Sequence, residues 1–400
     1  MIARLPVLFF VLAVSPLHAE DWPNWRGPSH NGISAEKGWK TDWPADGPRV
    51  LWKADVGIGF ASFTVADGRV FTTGHEKEQD TVYCFDAATG KENWKHSYAA
   101  ELGDKYYEGG TSATPTIAGD KVLHLSRWGD AMCLEAATGK VVWSKNLAEE
   151  TGAEIPDWGF AGSPLVQGDL VFLTIGKHGL AIAKSSGEVK WKSGTGKAGY
   201  STPLPFPGKP GQLLFAGERA YFCVEASTGK ALWDYPWKTQ YGVNAADPVV
   251  HDGHVFISSG YNKGCTLIKV DGGPPSKVWE SKVMRTQFNS CVLVDGHLYG
   301  PDGNHGDTGP LKCLEWKTGK VKWERKGFGV GGVTVADGKL IALSARGELM
   351  VAPISAEKFE PVSEAQVLGG RCWTTPVLAN GRIYCRNAAG DVVCLDVKGK

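Results

Sequence analysis

Apolar residues gather along this chain in short runs broken by polar turns, and nowhere do they recur at the spacing of a helix face. Seven of the breaks are two-residue turns of hairpin type: Asp67-Gly68, Gly119-Asp120, Gly168-Asp169, Asp252-Gly253, Asp295-Gly296, Asp337-Gly338 and Asn380-Gly381. Such a turn between apolar runs is a strong hairpin signal, because Asn, Asp and Gly tolerate the left-handed backbone that it needs. An eighth break is stretched, Pro207-Gly208-Lys209-Pro210-Gly211 between Leu204 and Leu213. The pattern predicts eight hairpins.

A second signal runs in phase with the first. Trp52, Trp94, Trp143, Trp191, Trp233, Trp279 and Trp323 stand 42, 49, 48, 42, 46 and 44 residues apart. Before four of them lies the same turn, Thr89-Gly90-Lys91, Thr138-Gly139-Lys140, Thr228-Gly229-Lys230 and Thr318-Gly319-Lys320, with Ser186-Gly187-Glu188 as a near copy. Periods of this length mark a repeat architecture. Each reads strand, tight turn, strand, loop, strand, Thr-Gly turn, strand with tryptophan, which is the content of one four-stranded antiparallel propeller blade. The expected fold is all-β, an eight-bladed β-propeller. Because the tryptophans recur at one place in the repeat, on the outer strand, they read as packing residues between blades and not as a sugar platform.

Eight hairpins face seven regular tryptophans, and the mismatch predicts how the ring closes. Blade 7 ends in a degenerate stretch, Ile354 to Val367, and the last period has strand positions only at Arg382 to Arg386 and Val392 to Val397. Residues 48–56 are an outer strand with no blade before them. They are expected to complete the last sheet and cover its edge. The organisation that follows is a leader over 1–19, a lead segment over 20–47 and the propeller over 48–400.

Composition narrows the class. Lys+Arg 43 against Asp+Glu 43, without a basic cluster, argues against a nucleic-acid partner. Arg4, the apolar run Leu5 to Val14 and a small residue at Ala19 read as a secretion signal, so the expected location is periplasmic or secreted. No other stretch approaches the ~20 apolar residues that span a bilayer, and no cysteine near the cut offers a lipid site. The chain is expected to act as a monomer.

Cys84, Cys133, Cys223 and Cys313 each precede a Thr-Gly turn by five residues, and Cys394 fits the same slot in the last blade. One repeat position on neighbouring blades is separated by about a sheet-packing distance, ~10 Å, beyond the ~7 Å reach of a disulfide. These five are expected to be reduced and buried. Cys265, Cys291, Cys372 and Cys385 fall outside the pattern and are free to pair in ways the spacing does not fix.

The copies Phe85-Asp86-Ala87-Ala88-Thr89-Gly90-Lys91-Glu92-Asn93-Trp94 and Leu134-Glu135-Ala136-Ala137-Thr138-Gly139-Lys140-Val141-Val142-Trp143 resemble the repeat of the pyrroloquinoline-quinone (PQQ) propeller family, and the resemblance covers nearly all of 48–400. The opening Trp22-Pro23-Asn24-Trp25-Arg26-Gly27-Pro28 looks like the N-terminal tag of exported bacterial members. The resemblance implies an eight-bladed ring and leaves two functions open. One is that of the quinoprotein dehydrogenases, which hold PQQ and Ca²⁺ in the channel; this chain has neither their adjacent cysteines nor a Cys-x-x-Cys-His haem motif. The other is that of a cofactor-free outer-membrane assembly scaffold, although that relative's lipid-bearing cysteine is absent here.

In a four-stranded blade, the loop entering the inner strand and the loop between the second and third strands open on one face around the channel, where function should collect. The entering segments bring Tyr107, Glu108, Trp158, Tyr200, Asn244, Arg285, Gln287, Asn289, Arg371 and Trp373 as candidate ligand-binding residues. This is richer than packing requires. Asp302-Gly303-Asn304-His305-Gly306-Asp307 has the oxygen-rich look of a calcium loop but lacks the closing glutamate, and His251 with His254 makes only two ligands, so no metal site is assigned. The Thr-Gly-Lys copies have neither the upstream glycine nor the following helix of a phosphate loop. No nucleophile with its base is evident, and no catalytic residue is assigned. The expectation is a scaffold that binds a protein or a small polar ligand without cofactor, the alternative being a PQQ- and Ca²⁺-dependent dehydrogenase acting on an alcohol or a sugar.

Overall fold

The computed structural model describes residues 20–44, 46–271, 273–303 and 308–399. The leader over 1–19 and residues 304–307 of the proposed calcium loop lie outside these. The described chain forms eight antiparallel sheets, each built from the hairpins expected from the turns, with one short helix, α1 (Leu147–Thr151). At Asp67-Gly68, Asp252-Gly253, Asp295-Gly296, Asp337-Gly338 and Asn380-Gly381 both turn residues are left-handed, with φ between 45° and 72°. Turns of this hand twist with the strands that flank them.

The coincidence of tryptophan and Thr-Gly turn has a direct physical cause. The tryptophan of one blade lies on the turn glycine of the next: a Cβ added at Gly90, Gly139, Gly187, Gly229 or Gly319 would fall 2.4 to 2.9 Å from the ring of Trp52, Trp94, Trp143, Trp191 or Trp279. The indole N–H then donates into the same neighbouring turn, Trp52 to the Ala87 carbonyl at 3.1 Å, Trp94 to Ala136 at 3.0 Å and Trp191 to Ala226 at 2.8 Å. Only glycine provides both the left-handed turn and the flat seat. Two motifs that are separate in sequence are one contact in space.

The ring closes with a strand from each end of the chain. β2 (Val50–Asp55) pairs antiparallel with Asp391–Asp396 and completes blade 8 as its outer strand. Blade 7 recovers an outer strand at Ser363–Gln366 from the degenerate stretch, and gains a fifth, innermost strand when β1 (Ile33–Ser34) pairs parallel with Gly332–Ala336. All nine cysteines are free thiols and buried, including the four outside the repeat slot.

A closed girdle of hydrogen bonds holds the inner strands. The backbone N–H at the start of one inner strand donates to a side-chain oxygen on the next: Ser62 to Thr114 (2.9 Å), Thr114 to Ser163 (3.0 Å), Ser163 to Thr202 (3.1 Å), Thr202 to Asp247 (2.8 Å) and Asp247 to Ser290 (2.8 Å). Blade 7 has Gly332 in this slot and no side chain to offer. Asn289 spans the gap, donating to the Val330 and Trp373 carbonyls at 2.8 Å each and accepting from Thr375 at 3.0 Å. Ser62 Oγ closes the circuit on the Thr375 carbonyl at 3.0 Å.

Candidate functional site

Residues 20–36 lie across the channel on the face opposite the entering loops. Trp22 bridges Val65 of blade 1, the Pro23 carbonyl accepts from Ile117 of blade 2, and Arg26 donates to the Cys291 carbonyl of blade 6 at 2.7 Å. Glu36 then accepts from the Gly381 N–H of blade 8. The lead segment is therefore a plug, and it turns the channel into a cup. Trp25 forms part of the cup's lining and donates its indole N–H to Asp247 at 2.6 Å. Asp247 is the only acidic member of the girdle, and its burial pushes its carboxyl above the usual range against the pull of Arg26. Burial likewise lowers the Arg26 guanidinium.

Above this floor opens a cavity of about 850 Å³. Its walls are aromatic. Phe60, the pair Tyr106 and Tyr107, Trp158, Tyr200, Tyr241, Tyr261, Phe288 and Trp373 come from the rim loops of blades 1, 2, 3, 4, 5, 5, 6 and 8 in turn. Blade 7 enters through Gly327-Phe328-Gly329-Val330-Gly331-Gly332 and gives no side chain to the wall. The rings make two connected arcs. Along one, Tyr107, Phe60, Trp373 and Phe288 follow at centroid distances of 5.4, 5.6 and 4.9 Å. Along the other, Tyr106, Trp158, Tyr241 and Tyr261 follow at 5.2, 6.3 and 5.0 Å.

Buried arginines aim these loops. Arg127, on blade 2, donates to the carbonyls of Leu102 (2.9 Å), Gly110 (3.2 Å) and Trp158 (3.0 Å), fixing the two segments that carry Tyr107 and Trp158. Arg386, fully buried in blade 8, donates to the carbonyls of Gly57, Ala61 and Thr73 and so sets the loop that carries Phe60; burial holds its guanidinium down to about 10. Both guanidinium groups have fixed backbone acceptors, as a buried charge requires.

Of the ten residues singled out from sequence, eight line the cavity: Tyr107, Glu108, Trp158, Tyr200, Gln287, Asn289, Arg371 and Trp373. Asn244 and Arg285 do not. Asn244 is fully buried and gives its amide N–H groups to the Gly217, Glu218 and Trp237 carbonyls. Arg285 turns back onto the buried Asp302, which Lys312 also meets at 2.6 Å. Asn289 lines the cavity but its amide is committed to the girdle. The expectation that all ten converge failed at these positions because the two asparagines find backbone carbonyls first and Arg285 finds the buried Asp302 carboxylate. The arginine that remains, Arg371, is ion-paired with Glu108 and stacked 4.3 Å from the Trp373 ring centroid.

The ten candidates left out the lining aromatics Trp25, Phe60, Tyr106, Tyr241, Tyr261 and Phe288, of which Tyr106, Tyr241 and Phe288 lie in the entering segments that supplied the ten. Sequence reasoning also missed the girdle, although Thr114-Pro115, Ser163-Pro164, Thr202-Pro203, Asp247-Pro248 and Thr375-Pro376 form a visible series. Elsewhere, His254 bonds the carbonyl of its own turn at Asp252. Among the described residues no three or more His, Cys, Asp or Glu side chains group as a metal site would require, and no helix is long and apolar enough to cross a membrane.

Comparison with known proteins adds a family and several folds. A family model described as outer membrane protein assembly factor BamB matches residues 36–122 and 79–325. No curated protein sequence matches. Among solved structures, BamB from Moraxella catarrhalis is 17% identical, covers 86% of this chain and 98% of its own, and superimposes with a TM-score of 0.63. The quinohemoprotein alcohol dehydrogenase from Comamonas testosteroni is 15% identical over 95% of this chain and 81% of its own, with a TM-score of 0.71. A europium-containing methanol dehydrogenase is 13% identical over 92% and 89%, with a TM-score of 0.72. At these identities the likeness is one of fold.

Proposed function

Since the chain belongs to the PQQ-like β-propeller family of the outer membrane protein assembly factor BamB, we propose that it is an exported scaffold, periplasmic or secreted, that captures a ligand or protein segment in its aromatic cup and performs no covalent chemistry of its own. The observation that carries this reading is the contrast within the lining: nine aromatic rings on the walls, and ionisable groups that are each tied to a protein partner. A catalytic acid or base needs a proton-donating or proton-accepting atom within reach of the substrate. Here Glu108 is held by Arg371, Asp157 by Lys197 at 2.8 Å, and Asp247 by Trp25 and the Thr202 N–H.

The quinone-dependent reading draws on the dehydrogenase folds. PQQ brings three carboxylates and, with Ca²⁺, calls for cationic anchors beside a cluster of oxygen ligands. The lining supplies Arg371, already paired, and three carboxylates on separate partners. These donors fit the group poorly, and no step is derived through it.

The test has two arms. Protein isolated from the cells that make it should carry a co-purified species in native mass spectrometry that Ala161→Trp, which fills the cup, no longer holds. Equal retention by the variant would remove capture from the cup. Quinone absorbance with alcohol- or sugar-dependent dye reduction, after incubation with PQQ and Ca²⁺, would replace the scaffold reading altogether.

A further inference from the structure

Resting on the reading that the cup captures a ligand, we propose that the ligand is a neutral oligosaccharide, its pyranose rings stacked along the two aromatic arcs. The faces of aromatic rings carry negative π density, and the face of a pyranose offers a patch of polarised C–H groups that matches it. The edges of the same sugar carry hydroxyls. The arcs supply both surfaces: Tyr106 and Trp158 are tilted by 41° and Tyr241 and Tyr261 meet their neighbours edge to face, so the arc offers ring faces in several orientations together with phenol hydroxyls, and Tyr106 and Tyr241 stand 54% and 51% exposed at the rim.

Charge argues for neutrality. An ionic ligand would have to displace Glu108 from Arg371 or Lys197 from Asp157, partly exposed pairs whose exchange gains little, or displace Trp25 from Asp247, which would leave that buried carboxyl short of a donor. A neutral sugar leaves every pair intact. Apolarity is argued against by the same wall, since an acyl chain or an apolar peptide side chain would desolvate the Tyr106 and Tyr107 hydroxyls and Ser112 without pairing them. Size agrees as well: about 850 Å³ lies in the upper part of the range for ligand pockets and has room for several pyranose rings in a row.

The experiment is a titration of the intact protein with cellohexaose, maltohexaose, xylohexaose and chitohexaose, read by calorimetry and tryptophan fluorescence at low and high salt. At least one hexaose should bind at millimolar or lower concentration with an affinity that salt does not change. Trp158→Ala should weaken it tenfold or more, Trp158→Phe much less, and Tyr241→Ala, at an exposed rim position, about tenfold. Absence of binding by all four sugars, or binding that survives both alanine substitutions in folded protein, overturns the proposal. If the sugars fail while Ala161→Trp still strips the co-purified species, the cup remains a capture site and the ligand class is wrong. If a peptide proves to be that species, the sugar proposal falls in the same way.

Discussion

Two sets of aromatic side chains in this molecule look alike in composition and differ in every other respect. In the seams between blades, Trp52, Trp94 and Trp191 are buried, seated on a glycine, and their indole N–H groups are spent on a neighbouring carbonyl. In the cup, Trp158 and the tyrosines around it touch mainly one another and open space. The seam contact recurs at five of the eight seams because successive blades meet in the same way. The cup is assembled once, from loops that differ in length and sequence. Repetition marks what holds the ring, and departure from repetition marks what the ring is for.

The largest effect should come from removing what closes the ring. Deleting residues 20–56 takes away β2, leaving the Asp391–Asp396 edge of blade 8 open, and with it the plug that bridges blades 1, 2, 6 and 8. An open edge beside uncovered apolar surface favours aggregation. The truncated protein should aggregate or lose cooperative melting; melting like the full chain would show that closure by β2 and the plug contributes little.

Next in size is a single seam. Trp191→Ala removes a buried ring packed on Phe172 and Phe215 and should cost ~3–5 kcal/mol in guanidinium denaturation. Gly229→Ala attacks the same contact from the other side, placing a methyl 2.4 Å from the Trp191 ring at a φ of +71°. An unchanged midpoint in both would mean that the seam is not where stability resides.

The seam between blades 1 and 2 should also carry an acid limb. Burial holds His124 down to about 3, with the Tyr98 hydroxyl 2.8 Å from its Nε2. Its folded value lies below its unfolded one, so the unfolded chain takes up the proton first. The stability it supports is complete above about pH 6.5 and declines as pH falls, by about 1.4 kcal/mol per pH unit until the folded group titrates. His124→Gln should remove this pH dependence, so that the gap between wild type and variant narrows as pH falls through that window, measured by denaturation at a series of pH values. Parallel curves would place the limb elsewhere.

How far the sequence could be read follows the same division. The blades, the hairpins, the Thr-Gly turns and the outer strand at 48–56 were legible because each obeys a local rule repeated around the ring. The plug was not. Nothing in Trp22-Pro23-Asn24-Trp25 is periodic, and its role depends on contacts with residues far along the chain, such as Trp25 with Asp247. The cup was legible only as a collection of entering loops. Phe60 and Tyr261 gave no polar signal, and Asn244, Asn289 and Arg285 gave one that backbone carbonyls and Asp302 had already claimed. A side chain's type announces what it can bond, and only the fold decides which bond comes first.

The smallest effect on stability should fall in the cup, and two arginines make the contrast measurable. Arg285 lies over Asp302, whose side chain is 2% exposed, and removal of its guanidinium leaves that carboxylate to Lys312 and the backbone N–H of residue 285. Arg285→Ala should therefore cost ~1–3 kcal/mol, the penalty for a buried charged group that loses a partner. Arg371 is paired with Glu108 where both side chains are more than a third exposed, and solvent screens such a pair to roughly 0–1 kcal/mol. Its other contact, the stack on Trp373, shapes the wall. Arg371→Ala should leave the melting temperature within about a degree or two of wild type, since ~1 kcal/mol moves even a mid-sized domain by only ~2–4 °C, while capture in the cup falls. Measured together, the two variants should separate, one losing stability with binding retained and the other losing binding with stability retained. If instead Arg371→Ala melts lower and still holds its ligand, Arg371 belongs with the seam residues, and the line drawn between repeated packing and unrepeated function passes inside the cup and not around it.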